Sequence, residues 1–414
     1  MAHKNEYTVV KGKILTKPFL FLLVLVIIGF MFIVMRYIKG IGAVTNLSDG
    51  YPWGIWIAYD VATGTALACG GYAMAILIYI MNKWKYHPLI RSAILTSLFG
   101  YGLAGFSVVI DLGRYWNIYN FFIPARWQFN SVMFEVALCV MIYTLVLFVE
   151  FLPVILERLK EQNKLLAKYA DWLYPKLNNV LIFFIVLGIT LPSMHQSSLG
   201  SMMTIAVHKL HPLWHTGFLP LLFLINCVYI GFAIVIFESI VSSYAFNRPY
   251  EVKELSGLAG IIPWLTAIWV SIRIGDLYYR KQMLAVIKGD FYSIMFLIEL
   301  LSIVVGSIML LNEKVKRSPR WLFITACLIL FGGGVYRMNV YIIGFNPGPG
   351  WKYFPSLPEF MITLGIVALE ILLYLIFIKL FPVLPTGHKP DEILTEKTFE
   401  KSKVIPRRFG WQRR

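Results

Sequence analysis

Ten runs of apolar residues, each about as long as the hydrocarbon core of a bilayer is thick, decide what this chain can fold into. A transmembrane helix needs about twenty such residues. The runs lie near 18–38, 54–82, 92–112, 129–152, 178–194, 217–245, 257–275, 290–311, 321–344 and 359–381. Inside lipid every backbone polar group must find its partner within the segment, so the fold class is an all-α membrane protein of about ten transmembrane helices. The chain is 58% hydrophobic and 14% charged, more apolar surface than one soluble core can bury. A net charge of +16 would suggest nucleic acid in a soluble domain. Here the basic residues sit in short loops and tails, so the partner expected is the lipid bilayer and no nucleic acid.

Most of the 38 lysines and arginines fall in the two tails and in alternate connections, which the positive-inside rule assigns to the cytoplasm. The expectation is a multi-pass protein of the bacterial inner membrane with both termini cytoplasmic. The basic segment Lys4 to Lys17 leads into an apolar run too long for a signal-peptide core, so the first span should be retained. Residues 389–414 read as a disordered basic tail lying against the membrane. Cys69, Cys139, Cys227 and Cys327 are each isolated in apolar runs, which makes them small core residues and not metal ligands.

One internal similarity organises the chain. Phe129-Asn-Ser-Val-Met-Phe-Glu135 opens the fourth span, and Phe291-Tyr-Ser-Ile-Met-Phe296, followed by Glu299, opens the eighth. Each follows a span that ends in an acidic and aromatic cluster, Asp111 to Trp116 and Arg273 to Tyr279. Two parallel four-helix bundles with two flanking helices are therefore expected. The boundaries are 1–53 for the N-terminus and first flanking helix, 54–215 and 216–358 for the bundles, 359–388 for the second flanking helix, and 389–414 for the tail.

Ionisable side chains inside a bilayer cost several kcal/mol, so they are functional candidates. At about 1.5 Å per residue, Asp60 and Glu135 lie roughly 9 Å inside the non-cytoplasmic boundary, with Arg337 and Asn339 comparably placed. Asp111, Arg114, Arg273 and Asp276 sit at its edge. Trp53, Trp56 and Asp60 are spaced by three and four and share one helix face. Two aromatics over a carboxylate suit a flat amphipathic ring that exchanges protons, such as a quinone. An aromatic belt with salt-bridged helix ends explains several of these residues singly, but not buried Asp60 and Glu135. The run Ala62 to Gly71 reads first as close helix packing.

Further acids, Glu299 and Glu370 near mid-membrane and Glu150 and Glu238 toward the cytoplasmic side, form a candidate proton path with Asp60 and Glu135. Each could equally be a helix-contact residue. The seven histidines argue against haem, because none falls inside a span: His3 and His388 are in the tails, His87 is in a cytoplasmic loop, and His195, His208, His211 and His215 share one connection. His195, in Met-His-Gln-Ser-Ser, is placed to exchange a proton at a quinone oxygen, or else is a loop histidine bonded to backbone. His208, His211 and His215 read as structural or interfacial.

Tyr51-Pro-Trp-Gly-Ile-Trp-Ile-Ala-Tyr-Asp60, Asp111-Leu-Gly-Arg114, Arg126-Trp-Gln-Phe-Asn-Ser-Val-Met-Phe-Glu135 and Met194-His-Gln-Ser-Ser-Leu-Gly-Ser201 together resemble the NrfD/PsrC integral membrane subunits of quinone-linked oxidoreductases, and their HybB-like branch above all. The resemblance covers essentially the whole chain. It implies two four-helix bundles, no haem or iron–sulfur cluster in this chain, and menaquinone or ubiquinone as substrate. It implies as partners a periplasmic ferredoxin-like iron–sulfur subunit and hydrogenase large and small subunits or another catalytic subunit. The quinone site implied comprises Trp53, Trp56, Asp60, Asp111, Arg114, Glu135, His195, Gln196 and Ser197. The subunit alone would be redox-inactive. The rival readings are a secondary transporter, which predicts a solute path at the midplane, and a passive anchor, which leaves Asp60 and Glu135 unexplained.

Overall fold

The computed structural model describes residues 7–162, 164–206 and 208–386. Among these residues ten helices are long and apolar enough to cross a membrane. They are α1 (Lys17–Lys39), α2 (Trp56–Ile80), α3 (Trp84–Asp111), α4 (Val132–Lys160), α5 (Ala167–Thr204), α6 (Leu219–Ala245), α7 (Val252–Tyr279), α8 (Phe291–Met309), α9 (Pro319–Ile343) and α10 (Leu357–Leu380). Two short strands, β1 (Tyr7–Thr8) and β2 (Leu384–Pro385), pair antiparallel and bring both described chain ends to one face. We call this the tail face and the opposite one the loop face. The expected tail 389–414 lies outside the described residues.

Local signals set several helix ends. Thr16 caps α1, whose second residue is Pro18, and Ser356 and Glu359 form a reciprocal capping box ahead of α10. Helix α2 departs from regular winding: Trp56–Thr63 and Ile76–Ile80 are π-helical, as is Asn339–Ile343 at the end of α9. Such segments free backbone carbonyls and recur at functional sites. Helix α5 runs ten residues beyond the sequence expectation, to Thr204, and accommodates Pro192 within it.

Neighbouring helices pack as α2 on α3, α3 on α4 and α4 on α5, and as α6 on α7, α6 on α9 and α8 on α9. Helices α2 and α6 also cross at close range, since a Cβ added to Gly231 would lie 2.6 Å from the Cys69 carbonyl. Small residues permit that approach without a hydrophobic drive between helices. Helix α2 is the most enclosed, with 83% of its apolar window buried, against 17% for α1. Helix α1 packs along α10, where Gly29 and Gly365 bring the two backbones together, and α10 in turn packs on α3.

Candidate functional site

Helices α2, α3 and α5 close around a buried polar cluster. His195 and Gln196 come from α5, Tyr101 from α3, and Thr65 and Cys69 from α2, and all five are fully buried. His195 Nδ1 lies 2.8 Å from the Leu191 carbonyl. A carbonyl can only accept, so this nitrogen carries the proton, and in the neutral imidazole Nε2 is left to accept from the Tyr101 hydroxyl at 3.0 Å. Gln196 Nε2 donates to Thr65 Oγ1 at 3.0 Å and approaches the Tyr101 hydroxyl at 3.4 Å. The Cys69 thiol lies 3.2 Å from that hydroxyl and donates to the Thr65 carbonyl. Tyr143 of α4 packs edge-on against Tyr101. Gln196 Oε1 is buried without a hydrogen-bond partner among the described residues. The cluster thus holds a histidine acceptor, a phenolic donor and a free amide oxygen within one enclosed space.

His195 is therefore nine residues inside α5 and not in a connection, which corrects the sequence expectation. The apolar run stops at 194 only because polar residues follow; the helix itself continues to Thr204. Ser197 does not join the cluster, because its hydroxyl donates to the carbonyls of Ser193 and Met194 on its own helix.

Asp60 lies on the other side of α2, facing α3 and α10. Its Oδ2 accepts from Ser107 at 3.1 Å and from Thr363 at 3.3 Å, and its Oδ1 is buried without a partner among the described residues. The three-residue face expected for Trp53, Trp56 and Asp60 is not formed. The helix begins after Trp53 and winds as a π-helix from Trp56, so the spacing of three and four no longer superimposes side chains. Trp53 donates to the Tyr341 carbonyl at 3.1 Å and packs on Phe345, whereas Trp56 donates to the Glu359 carbonyl at the start of α10.

The remaining predicted residues sit near the loop face. Asp111 ends α3, beside Arg36 of α1, which is fully buried and donates to the carbonyls of Ile110 and Leu112. Arg114 is exposed. Glu135 is half-buried in the first turn of α4, because that helix starts at Val132 and not at 129. Glu299, by contrast, is fully buried in α8.

Glu299 belongs to a separate network formed by α7, α8, α9 and the segment before α6. It pairs with Arg273 at 3.2 Å and accepts from Trp214 at 3.0 Å and from Asn339 at 2.6 Å. Next to it, Arg337 donates to Asn226 Oδ1 and to the carbonyls of Phe223 and Ala62. The last of these belongs to the π-helical part of α2, so Arg337 ties α9 to α2. Glu150 lies against Gly188 of α5, apart from both networks.

Open grooves of about 610 and 560 Å³ lie at the loop face. They are lined by His208, His211, Tyr292, Trp351 and Tyr353 among others, and not by Asp60 or His195. His211 stacks on Tyr292 with ring centroids 4.3 Å apart. Burial in that contact lowers its affinity for a proton, against the opposing pull of Asp290. The ligand-like polar geometry is thus inside the helices, while the surface relief is at the loops. Sequence reasoning missed Tyr101, Thr65, Ser107, Thr363 and Arg36, since single hydroxyls and one arginine near a helix end carry no distinguishing pattern.

Residues 43–346 match the family model described as polysulphide reductase, NrfD. The chain is 43% identical over 92% of its length to the probable Ni/Fe-hydrogenase 2 b-type cytochrome subunit of Escherichia coli (strain K12), covering 95% of that protein. It is 26% identical over 84% of its length to the menaquinone reductase integral membrane subunit of Nitratidesulfovibrio vulgaris, covering 86% of it. It is also 22% identical over 86% of its length to the Hdr-like menaquinol oxidoreductase integral membrane subunit of Archaeoglobus fulgidus, covering 91% of that protein.

The expectation of a chain without haem is corrected by the first of these relatives, whose name describes a b-type cytochrome. That expectation has also lost its premise, since His195 is inside a span. A b-type haem is held by imidazoles projecting from facing helices. The described residues fit such a pair poorly: His195 is the one buried histidine among them, and both its ring nitrogens are engaged within the cluster. The match over residues 43–346, together with a relative this similar over nearly the full length, places the chain in the polysulphide reductase NrfD family.

Proposed function

We propose that this chain is the quinone-reactive membrane subunit of a respiratory oxidoreductase, passing electrons between a periplasmic iron–sulfur subunit of a nickel–iron hydrogenase and the menaquinone pool. The observation that carries this reading is the enclosed cluster of His195, Gln196, Tyr101, Thr65 and Cys69, with its unpartnered amide oxygen. The names of two relatives, a hydrogenase subunit and a menaquinone reductase subunit, support the substrate and the partner. The basic tail face supports an inner-membrane protein with cytoplasmic termini, which puts the loop face toward the periplasmic partner.

Reducing a quinone takes two electrons and two protons. The electrons come from the partner's clusters, and the chain's own task is to orient the ring and handle protons. A proton taken up on His195 Nε2 can be passed through the Tyr101 hydroxyl to a quinone carbonyl oxygen, the hydroxyl giving its own proton to the quinone as it receives the one from Nε2, which leaves the imidazole neutral again. Gln196 can hold the ring by its amide. Asp60, across α2, keeps one carboxylate oxygen free to relay protons toward the same helix.

The test is hydrogen-dependent reduction of a menaquinone analogue by the native complex, compared with complexes carrying Asp60→Asn or His195→Ala. Loss of quinone reduction with reduction of an artificial dye preserved is expected. Equal quinone reduction in all three would remove the site from this subunit and leave it a passive anchor.

A further inference from the structure

Two of the four cysteines meet. Cys69 stands in the middle of α2 and Cys227 near the start of α6, and both are fully buried. Their thiols lie within hydrogen-bonding reach of each other. Each also donates to a carbonyl of its own helix, that of Thr65 and that of Leu224. What brings the sulfurs together is the crossing of the two helices. Gly231, one turn beyond Cys227 on the same face of α6, lies against the Cys69 carbonyl. Gly70, next to Cys69, turns toward Gly231 and Val235. No side chain at either glycine holds the backbones apart. The winding of α2 is also broken here, since one helical stretch ends at Leu67 and the next begins at Gly70, with Cys69 between them.

A thiol reacts as its thiolate, which needs somewhere to send the proton and a cation to favour the charge. Both are present. The Cys69 thiol lies 3.2 Å from the Tyr101 hydroxyl, which lies 3.0 Å from the acceptor His195 Nε2. The hydroxyl can therefore hand its own proton to Nε2 as it takes the one from sulfur. Arg337 supplies the cation. Its hydrogen bonds go to neutral acceptors, the Ala62 and Phe223 carbonyls and Asn226 Oδ1, and its charge acts on both sulfurs. A cysteine kept for its volume needs none of these neighbours.

We propose that Cys69 and Cys227 are a redox-active dithiol, which an oxidised quinone in the adjoining cluster closes to a disulfide that bolts α2 to α6. The choice of oxidant rests on the quinone reading above. The Cys69 thiolate first forms a bond to a ring carbon of the quinone. The Cys227 thiolate then attacks the Cys69 sulfur, and the S–S bond forms as the C–S bond breaks and its electron pair passes to the ring. The two thiols lose two electrons, the quinone becomes quinol, and the two thiol protons finish on its two oxygens, one of them by way of Tyr101 and His195. A disulfide joins Cα atoms about 5–6 Å apart, the kind of approach that a crossing lined by glycine permits. Closure also takes the Cys69 sulfur away from Tyr101. The latch is thus set when quinone is oxidised and no electrons arrive from the partner.

The test counts thiols. The native complex is held under argon without hydrogen, treated with dimethylnaphthoquinone, denatured in N-ethylmaleimide, and the chain is weighed by mass spectrometry. The untreated chain should take four labels, one for each cysteine, and the treated chain two, on Cys139 and Cys327. A peptide pair joined through Cys69 and Cys227 should appear and be split by dithiothreitol. Cys69→Ala and Cys227→Ala should each keep three labels with and without quinone. Four labels after quinone treatment, or a loss that falls on Cys139 or Cys327, overturns the proposal. Hydrogen-dependent reduction of the same quinone by the same preparation reads the other hypothesis separately. Quinone reduction with four labels retained sinks the dithiol and leaves the quinone site standing, whereas closure of the pair in a complex that passes no electrons from hydrogen to quinone sinks the electron route and supports the dithiol.

Discussion

Glu299 on α8 meets an arginine, an indole and an amide, whereas Asp60 on α2 meets two hydroxyls and keeps one oxygen free. Both carboxyls are buried at comparable remove from solvent. Taking a carboxylate out of water costs several kcal/mol, which a nearby cation offsets and a hydroxyl does not. Glu299 is therefore held in a fixed ion pair, whereas Asp60 keeps an oxygen that no cation neutralises. A fixed ion pair suits a scaffold, and an unpaired acid suits proton traffic.

The largest effect expected from this contrast is on Arg273. Replacing it by Met strands the Glu299 carboxylate and should cost about 3–5 kcal/mol of stability, read as a lower unfolding midpoint in detergent. An unchanged midpoint would show that the pair is not holding the second half together. Arg337→Leu comes next. It leaves the Ala62 and Phe223 carbonyls and Asn226 Oδ1 each short of one donor but strands no charge, so a loss of about 1–3 kcal/mol in total is expected. Because Ala62 belongs to α2, this variant should also slow quinone reduction, and stability loss without that slowing would uncouple the two halves. Asp60→Asn is expected to change stability by less than about 1 kcal/mol, since an amide oxygen still accepts from Ser107 and Thr363, while quinone reduction falls about a hundredfold. A stability loss as large as that of Arg273→Met would erase the distinction.

The smallest effect concerns Glu251, just before α7 at the tail face. Burial and the neighbouring Glu254 raise its carboxyl from 4.5 to about 8, against the pull of Arg248. The folded protein then holds a proton that the unfolded chain has released, so this contribution to stability is full below about 4.5 and is lost as pH rises toward about 8. The unfolding midpoint should decline over that window, and Glu251→Gln should flatten the decline. A steeper decline in the variant would reverse the sign assigned here.

The ten spans and the fold class were legible because lipid imposes a length and an apolarity that sequence displays directly. Asp60 and Glu370 stood out as candidates for a related reason, since a polar residue is conspicuous against such a background. The grouping of such residues was not legible. Asp60 and His195 face opposite sides of α2, and the helix that separates them is π-wound in a way that spacing by three and four does not anticipate. Trp53 and Trp56 parted for the same cause. Glu135 and Glu299 follow the opening phenylalanines of the two similar segments by six and eight residues, and Glu135 ends half-buried in the first turn of α4 while Glu299 is fully buried inside α8. Tyr101 sits in a Phe-Gly-Tyr-Gly run that resembles ordinary packing, and only the approach of α5 gives it a histidine to bind.

The pairing of β1 with β2 and the contact of Gly29 with Gly365 make α1 and α10 neighbours, although they are the first and last helices along the chain. During synthesis α1 enters the bilayer long before its packing partner exists. Its nearly unbroken apolar surface lets it wait in lipid, with Arg36 as the one side chain that needs a later neighbour, α3. The acids of α2, α3 and α6 meet Glu370 only when the last helix docks. A chain ended before α10 would thus lack Glu370 and leave Asp60 without its Thr363 donor.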